Sequence, residues 1–320
     1  MAVRKPWAWL FAILAGVLVR AEQEEIKSFD LRTHSLTWPY LDSEMQSRWF
    51  DFGGDTIVRT DKYIRLTPEI PSRQGWIFSR VPLTATNWEI EVEFKISGSG
   101  TLYGDGMAMW LTKERAQGGS VFGFKDKFEG LGIFLDTYKN NRPGVVFPYV
   151  MAMLGDGNTP YDKENDGKAN ELAGCSARGI RDRDQAHPTK LRLTYFADKS
   201  LVLDLQYKSE NVWENCFSLG DVKIPSVAYL GFSAETGELS DDHDIISVRT
   251  KNLWAPASGA TGEGKDKSKA GTSWKKGKTN EGEHESWAWF FVKFIMFGFA
   301  VVGAYIGFTA WRAKNRRDRF

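Results

Sequence analysis

The chain has 320 residues, and its 42 lysines and arginines against 41 aspartates and glutamates leave a net charge of +1. It offers no basic face on which to neutralise a phosphate backbone, and its cationic cluster is confined to the C-terminal tail. This excludes a nucleic-acid-binding role.

In chain order, Arg4 and Lys5 precede an apolar run from Trp7 to Val19, and Val19-Arg20-Ala21 places small or branched residues where a signal peptidase reads. This is the layout of a secretory signal peptide, residues 1–21, cleaved after about Ala21. A signal anchor that is never removed is the competing reading. It is disfavoured by the short apolar run and by the polar stretch Glu22-Gln23-Glu24-Glu25 that follows.

Residues 26–254 read as one domain. Runs rich in β-branched and aromatic residues recur between Gly, Asn and Asp turn signals: Trp88 to Ile96, Gly106 to Leu111, Leu131 to Tyr138, Lys190 to Phe196, Leu201 to Tyr207, Ala228 to Ala234 and Ile245 to Thr250. No run longer than a few turns has helical periodicity. The pattern predicts an all-β sandwich of two large sheets.

Acidic and amide residues cluster at three places within it. Gly104-Asp105-Gly106 sets a carboxylate between glycines before an apolar strand. Asp136-Thr137-Tyr138-Lys139-Asn140 ends another strand, and alternation predicts Asp136, Tyr138 and Asn140 on one side of it. Tyr161-Asp162-Lys163-Glu164-Asn165-Asp166-Gly167 is a loop crowded with oxygens. Calcium takes six to eight hard oxygens. Asp136, Asn140, Asp166 and the Tyr138 carbonyl could supply such a set if the loops meet, although acidic turns are common in β proteins.

The cysteines, Cys175 and Cys216, share this domain. In an oxidising lumen they most simply pair, closing a loop of about 40 residues worth roughly 4 kcal/mol; two buried free thiols are the alternative. No Asn-x-Ser/Thr sequon occurs.

Residues 255–286, rich in Gly, Ser, Lys, Glu and Thr, read as a flexible linker without coiled-coil heptads. Residues 287–311 then form an apolar run of about 25 residues, long enough at about 37 Å to cross a hydrocarbon core as a helix. Trp287, Trp289 and Trp311 mark its ends, and Lys293 can snorkel outward. Arg312, Lys314, Arg316, Arg317 and Arg319 beyond it place the tail, residues 312–320, in the cytosol and the domain in the lumen. A buried core helix is the bland alternative.

Several ordered motifs now resemble the leguminous-type (L-type) lectins of the secretory pathway, with the vesicular integral-membrane lectins the nearest branch. They are Arg65-Leu66-Thr67-Pro68, Gly104-Asp105-Gly106-Met107-Ala108-Met109-Trp110, Val121-Phe122-Gly123 and Gly132-Ile133-Phe134-Leu135-Asp136-Thr137-Tyr138. Glu171-Leu172-Ala173-Gly174-Cys175 and Thr236-Gly237-Glu238-Leu239-Ser240-Asp241-Asp242-His243-Asp244 follow. The resemblance covers nearly the whole lumenal domain and extends to the single span and short tail.

It implies a concanavalin-like jelly-roll sandwich and a calcium-dependent, mannose-binding cargo receptor or quality-control lectin. Such a protein would act in the membranes of the endoplasmic reticulum, intermediate compartment and Golgi, with high-mannose N-glycans as ligands. Asp136, the Tyr138 carbonyl, Asn140 and Asp166 correspond to the family's Ca²⁺ ligands. Asp105 and Asn140 correspond to mannose-binding residues, and Gly237, Glu238 and Leu239 to the loop whose backbone donates to the sugar. Cys175 and Cys216 match the family disulfide. Arg316, Arg317 and Phe320 resemble the basic and aromatic tails through which such receptors engage vesicle coats; a plain stop-transfer cluster is the alternative.

Two positions depart from the family pattern. Lys163 stands where a histidine is usual, and a charged lysine neither ligates a metal nor accepts a hydrogen bond. Trp76 stands where animal members carry a small serine, so it could narrow the pocket or stack on a sugar ring.

Other constellations give competing readings. Glu89, Glu91 and Glu93 share one face of a strand about 7 Å apart. That spacing suits a carbohydrate-active hydrolase, whose carboxylates lie at roughly 5 to 9 Å, or else simply a solvent-facing strand. Asp241-Asp242-His243-Asp244 looks like a metal cluster but reads better as a structural turn or a support for the site. A lectin-fold scaffold that binds protein partners through a decayed sugar site is the remaining alternative.

Overall fold

The computed structural model describes residues 27–181 and 188–254, with Tyr305 alone beyond them. Fifteen strands form in these residues. In chain order they are β1 (Lys27–Asp30), β2 (Phe50–Gly54), β3 (Ile57–Arg59), β4 (Tyr63–Thr67) and β5 (Gln74–Ser79). Then come β6 (Asn87–Ser97), β7 (Gly106–Thr112), β8 (Glu129–Asp136), β9 (Tyr149–Asp156) and β10 (Ala173–Ser176). The last five are β11 (Thr189–Phe196), β12 (Ser200–Gln206), β13 (Glu214–Gly220), β14 (Tyr229–Glu235) and β15 (Asp242–Trp254). Three short 3₁₀ turns, Arg32–His34, Lys163–Asn165 and Lys168–Asn170, are the helical elements among the described residues of this domain.

The strands build two antiparallel sheets, confirming the predicted sandwich. One runs β13-β12-β11-β6-β15-β4-β3, with β1 also paired to β15; the other runs β10-β9-β8-β7-β14-β5-β2. Strand β6 shows why the first sheet has one wet face. Trp88, Ile90, Val92, Phe94 and Ile96 are buried in the inter-sheet core, while the residues between them stay partly exposed.

The second sheet is buried on both faces. Met107, Met109 and Leu111 of β7 enter the inter-sheet core, whereas Ala108 and Trp110 enter a second cluster on the other side. That cluster is roofed by Val121, Phe122, Phe124, Phe128 and Tyr161, carried on the long connections after β7 and β9. Trp110 is its centre, with ring centroids 4.8 Å from Phe124, 4.9 Å from Phe128 and 5.3 Å from Phe134. Each such pair adds about 0.5–1.5 kcal/mol beyond area burial. The indole donates to Ser233 Oγ at 2.7 Å, and that hydroxyl donates to the Phe122 carbonyl at 2.6 Å. The loops that roof this sheet are therefore fixed to it.

Cys175 and Cys216 are bonded, with Cα atoms 5.3 Å apart, as the sequence predicts. The bridge joins β10, the edge of one sheet, to β13, the edge of the other. The predicted signal peptide (1–21), linker (255–286), membrane span (287–311) and tail (312–320), with Arg316, Arg317 and Phe320, lie outside the described residues, Tyr305 apart. Among the described residues no helix is long and apolar enough to cross a membrane.

Candidate functional site

The second sheet delivers its polar residues to one end of the sandwich. β8 stops at Asp136, where the carboxylate accepts the Tyr138 N–H at 3.1 Å and turns the chain. Asp136, Tyr138 and Asn140 thus meet through a turn, correcting the expected strand alternation. Asn140 is anchored by Asp166: its backbone N–H donates to both carboxylate oxygens at 3.1 Å and its Nδ2 to Oδ1 at 2.7 Å. With the amide nitrogen so committed, Oδ1 is left as the Asn140 side chain's acceptor, and Asn140 lines the pocket. Asp166 takes a left-handed conformation at φ 51°, and its carbonyl accepts from Arg142 Nη1 at 3.0 Å.

Asp105 reaches the same place from the start of β7. The Gly104–Asp105 peptide is cis. A β-carbon at Gly104 would lie 2.9 Å from the Tyr138 Cβ, so only glycine lets the two turns close together. The Asp105 N–H donates to the Glu235 carbonyl at 3.2 Å, and its own carbonyl accepts from Thr137 N and Oγ1, both at 3.0 Å. Gly237 lies over the Asp105 side chain: a β-carbon there would be 3.2 Å from both carboxylate oxygens.

Together Asp105, Asp136, Tyr138, Asn140, Tyr161, Lys163 and Glu235, with Ser120, Val121 and Phe122, line a cavity of about 80 Å³. Asp166 lies behind Asn140. Gly237, Glu238 and Leu239, predicted at the site, do not line this cavity, although Gly237 stands against the Asp105 carboxylate.

The cavity is rich in negative charge. Burial pushes the Asp105 carboxyl up to about 6, against the pull of Lys163 and with the push of Glu235. Asp136 is held well above the usual carboxylate range by burial, then by repulsion from Asp166. Burial also raises Asp166, although the Asn140 hydrogen bonds oppose it. The Tyr161 hydroxyl is buried without a hydrogen-bond partner, and burial with the fields of Asp136 and Asp166 raises it too. Two mutually repelling buried carboxylates, an unpaired hydroxyl, an amide oxygen and a backbone carbonyl suit a hard divalent cation such as calcium. Among the described residues no three His, Cys, Asp or Glu side chains gather as a metal site, so this set relies on amide and carbonyl oxygens.

Lys163 does not take an ion's place beside Asp166. Its Nζ is 3.1 Å from Glu235 Oε1 and 3.4 Å from the Ser120 carbonyl, half-exposed, on the Asp105 side of the cavity. Trp76 is not among the lining residues. It sits in β5, edge-on to Phe78 at 6.2 Å and packed over Gly53. Sequence reasoning missed Glu235 and Arg142; the only signal for Glu235 was a carboxylate ending an apolar strand just before the Gly237 loop.

The other constellations resolve as structure. Asp241 pairs with Arg181, while Asp242 and Asp244 pair with Arg65. His243 is buried, its Nδ1 2.7 Å from Thr67 Oγ1 and its pKa lowered by burial to about 3. Glu89 and Glu91 lie on the other sheet's wet face, bonded to Lys251 and Lys190 at 3.1 Å each. Glu93 is raised by burial.

The model of the legume-like lectin family matches residues 27–259. The chain is 42% identical over 245 residues to an L-type lectin-like domain-containing protein of Schizosaccharomyces pombe, covering 76% of each chain. It is 43% identical over 255 residues to the human vesicular integral-membrane protein VIP36, covering 78% of this chain and 70% of that one. The crystal structure of the VIP36 exoplasmic/lumenal domain in its Ca²⁺/Man-bound form superposes with a TM-score of 0.68 at 41% identity, over 72% of this chain and 94% of that one. The same domain is known in Ca²⁺/Man3GlcNAc-bound and metal-free forms.

Proposed function

The chain belongs to the legume-like lectin family, on the branch of the vesicular integral-membrane lectins, and from that premise we propose that it binds mannose-rich glycans in a calcium-dependent manner. The carrying observation is that Asp105 and Asn140 line one small cavity, with Gly237 against the Asp105 carboxylate, beside an oxygen-rich, cation-deficient cluster. It is a sugar-binding protein of the secretory pathway, not an enzyme. The Ca²⁺- and mannose-bound states of the VIP36 lumenal domain support the finer reading.

Each group has a chemical task in it. The ionised Asp105 carboxylate accepts charge-assisted hydrogen bonds from adjacent sugar hydroxyls. Gly237 leaves room for a sugar above that carboxylate, and the N–H groups of Gly237, Glu238 and Leu239 would donate to sugar oxygens as the resemblance implies. Asp136, the Tyr138 carbonyl, Asn140 and Asp166 would hold calcium. Bound there, the ion would supply the positive charge that offsets Asp136 and Asp166 and fixes the Asn140 loop. Lys163, steered by Glu235, can only donate, so it selects a sugar oxygen that accepts.

The same Lys163–Glu235 pair favours one alternative, a lectin fold that has closed its sugar site and binds protein partners. Isothermal titration of the full-length protein with α-methyl mannoside and oligomannose, with and without chelator, separates the two. The lectin reading expects saturable binding that chelator abolishes, together with a lower melting temperature in chelator, since calcium favours the folded state by mass action. Absent sugar binding at millimolar calcium would leave the scaffold.

The proposal extends to the ends of the chain. A cleaved signal peptide (1–21), a lumenal domain (26–254), a linker (255–286) and a single span (287–311) would make it a cargo receptor or quality-control lectin between endoplasmic reticulum and Golgi. In the tail, Arg316, Arg317 and Phe320 would engage vesicle coats. Phe320→Ala should slow exit from the endoplasmic reticulum; an unchanged transport rate would reduce the tail to a stop-transfer signal.

A further inference from the structure

The connection that delivers Asp105 and the loop that sets Gly237 against its carboxylate share one buried cation. The Arg181 side chain is 9% exposed and that of its partner, Asp241, is 0% exposed. Arg181 Nε donates to Asp241 Oδ2 and Nη2 to Oδ1, both at 2.9 Å, a two-pronged match of guanidinium to carboxylate. Nη2 also donates to the carbonyls of Gly100 at 3.0 Å and Gly98 at 3.3 Å. The guanidinium carbon lies 3.8 Å from the ring centroid of Tyr103.

These partners are placed where they can act on the site. Gly98, Gly100 and Tyr103 belong to the connection that delivers Asp105, and Asp241 ends the loop that begins with Gly237. Gly98 admits the Asp241 carboxylate because any β-carbon there would collide with Oδ1. Glu69 reinforces the junction: its Oε1 accepts from Ser99 N and Oγ at 2.6 Å, and its own N–H donates to Asp242 Oδ1 at 2.7 Å. The cation-binding set is braced by a different buried guanidinium, Arg142, through the Asp166 carbonyl and the Glu171 carboxylate.

We infer that Arg181 and Asp241 are a positioning pair that sets the spacing between the Asp105 carboxylate and the Gly237 backbone, and so governs affinity for the sugar rather than for the cation. This rests on the lectin reading. A buried pair with both partners fixed is a stiff spacer, since parting it strands a charge at a site closed to water. Lysine at position 181 keeps the charge but cannot span a carboxylate and two carbonyls at once.

The test uses full-length protein in detergent. Calcium affinity is measured first, then α-methyl mannoside affinity at saturating calcium, by calorimetry, for wild type, Arg181→Lys and Tyr103→Leu. Arg181→Lys should weaken the sugar about ten- to a hundredfold, as loss of supporting partners does at other sites, while calcium affinity stays within about twofold. Tyr103→Leu should show the same split with a smaller sugar loss. Equal loss of both affinities, or sugar binding within about twofold of wild type, would overturn the pairing's role. Should Arg181→Lys fail to fold by circular dichroism, Tyr103→Leu decides alone on the same criteria. A wild-type protein that takes up calcium but no mannoside would remove the lectin reading and this inference with it.

Discussion

Asp105 is ionised against the preference of its surroundings, because burial outweighs the help of Lys163 and pushes its carboxyl up to about 6. The folded domain therefore holds this proton more tightly than the unfolded chain. The associated stability is full below the unfolded value near 4 and is lost as pH rises through about 6. Asp105→Asn removes that loss. In chelator at pH 7.5 the variant should be more stable than wild type, on the order of 1 kcal/mol after screening at this part-exposed site, with the gain vanishing toward pH 4. Mannose binding should be abolished. Urea midpoints at pH 4.5 and 7.5, with mannoside calorimetry, check both; equal stability at pH 7.5 or wild-type affinity would refute the assignment. Asp136 and Asn140 were legible in the sequence because one short segment carries them. The partnership of Lys163 with Glu235 was not, because those residues are 72 apart and only the fold makes them neighbours. Trp76 misled for the converse reason: its type suggested a stacking wall, but packing against Gly53 and Phe78 uses the ring elsewhere.

Strands with a wet face announced themselves, and others did not. β6 alternates along its whole length, and β11 and β12 follow it, so their patterns could be read directly. β9 reads Tyr-Val-Met-Ala-Met-Leu-Gly-Asp; being largely buried on both faces, it shows no alternation, and Met and Ala carry little strand signal. β13 is polar and partly exposed, and β1 is exposed along its four residues, so each is a strand chiefly because a neighbour offers a ladder. The bridge from Cys175 to Cys216 ties two such edges, one from each sheet. With its ends 41 positions apart in the chain, it should contribute about 4 kcal/mol by restricting the unfolded chain. Cys175→Ser should lower the unfolding free energy by roughly that amount, at no cost to calcium affinity. An unchanged melting temperature without reductant would show that the bond is dispensable.

The sandwich treats its two outer surfaces differently, and the hydrophobic pattern alone could not say which would carry the site. One sheet meets water through Lys–Glu ladders; the other is covered by aromatic-bearing loops whose polar tips make the cavity. The two-sheet architecture followed from strand periodicity, whereas the second core did not, because Val121, Phe122, Phe124 and Phe128 lie in segments with no regular pattern. β15 gives this asymmetry a mechanical side. It starts one residue beyond Asp241, after the loop that carries Gly237, and ends at Trp254, where the described domain ends. Thirteen residues at about 3.3 Å each separate those points by about 40 Å. β15 is paired to β6 along most of that length, with β4 and then β1 on its other side. The cavity residues Asp105, Asp136 and Glu235 sit at the ends of β7, β8 and β14 in the second sheet, so a tug between a ligand there and Trp254 crosses the inter-sheet core before it reaches β15. The part of the load that β15 takes acts along the strand, where its ladders with β6, β4 and β1 resist in shear, many bonds at once, rather than one by one.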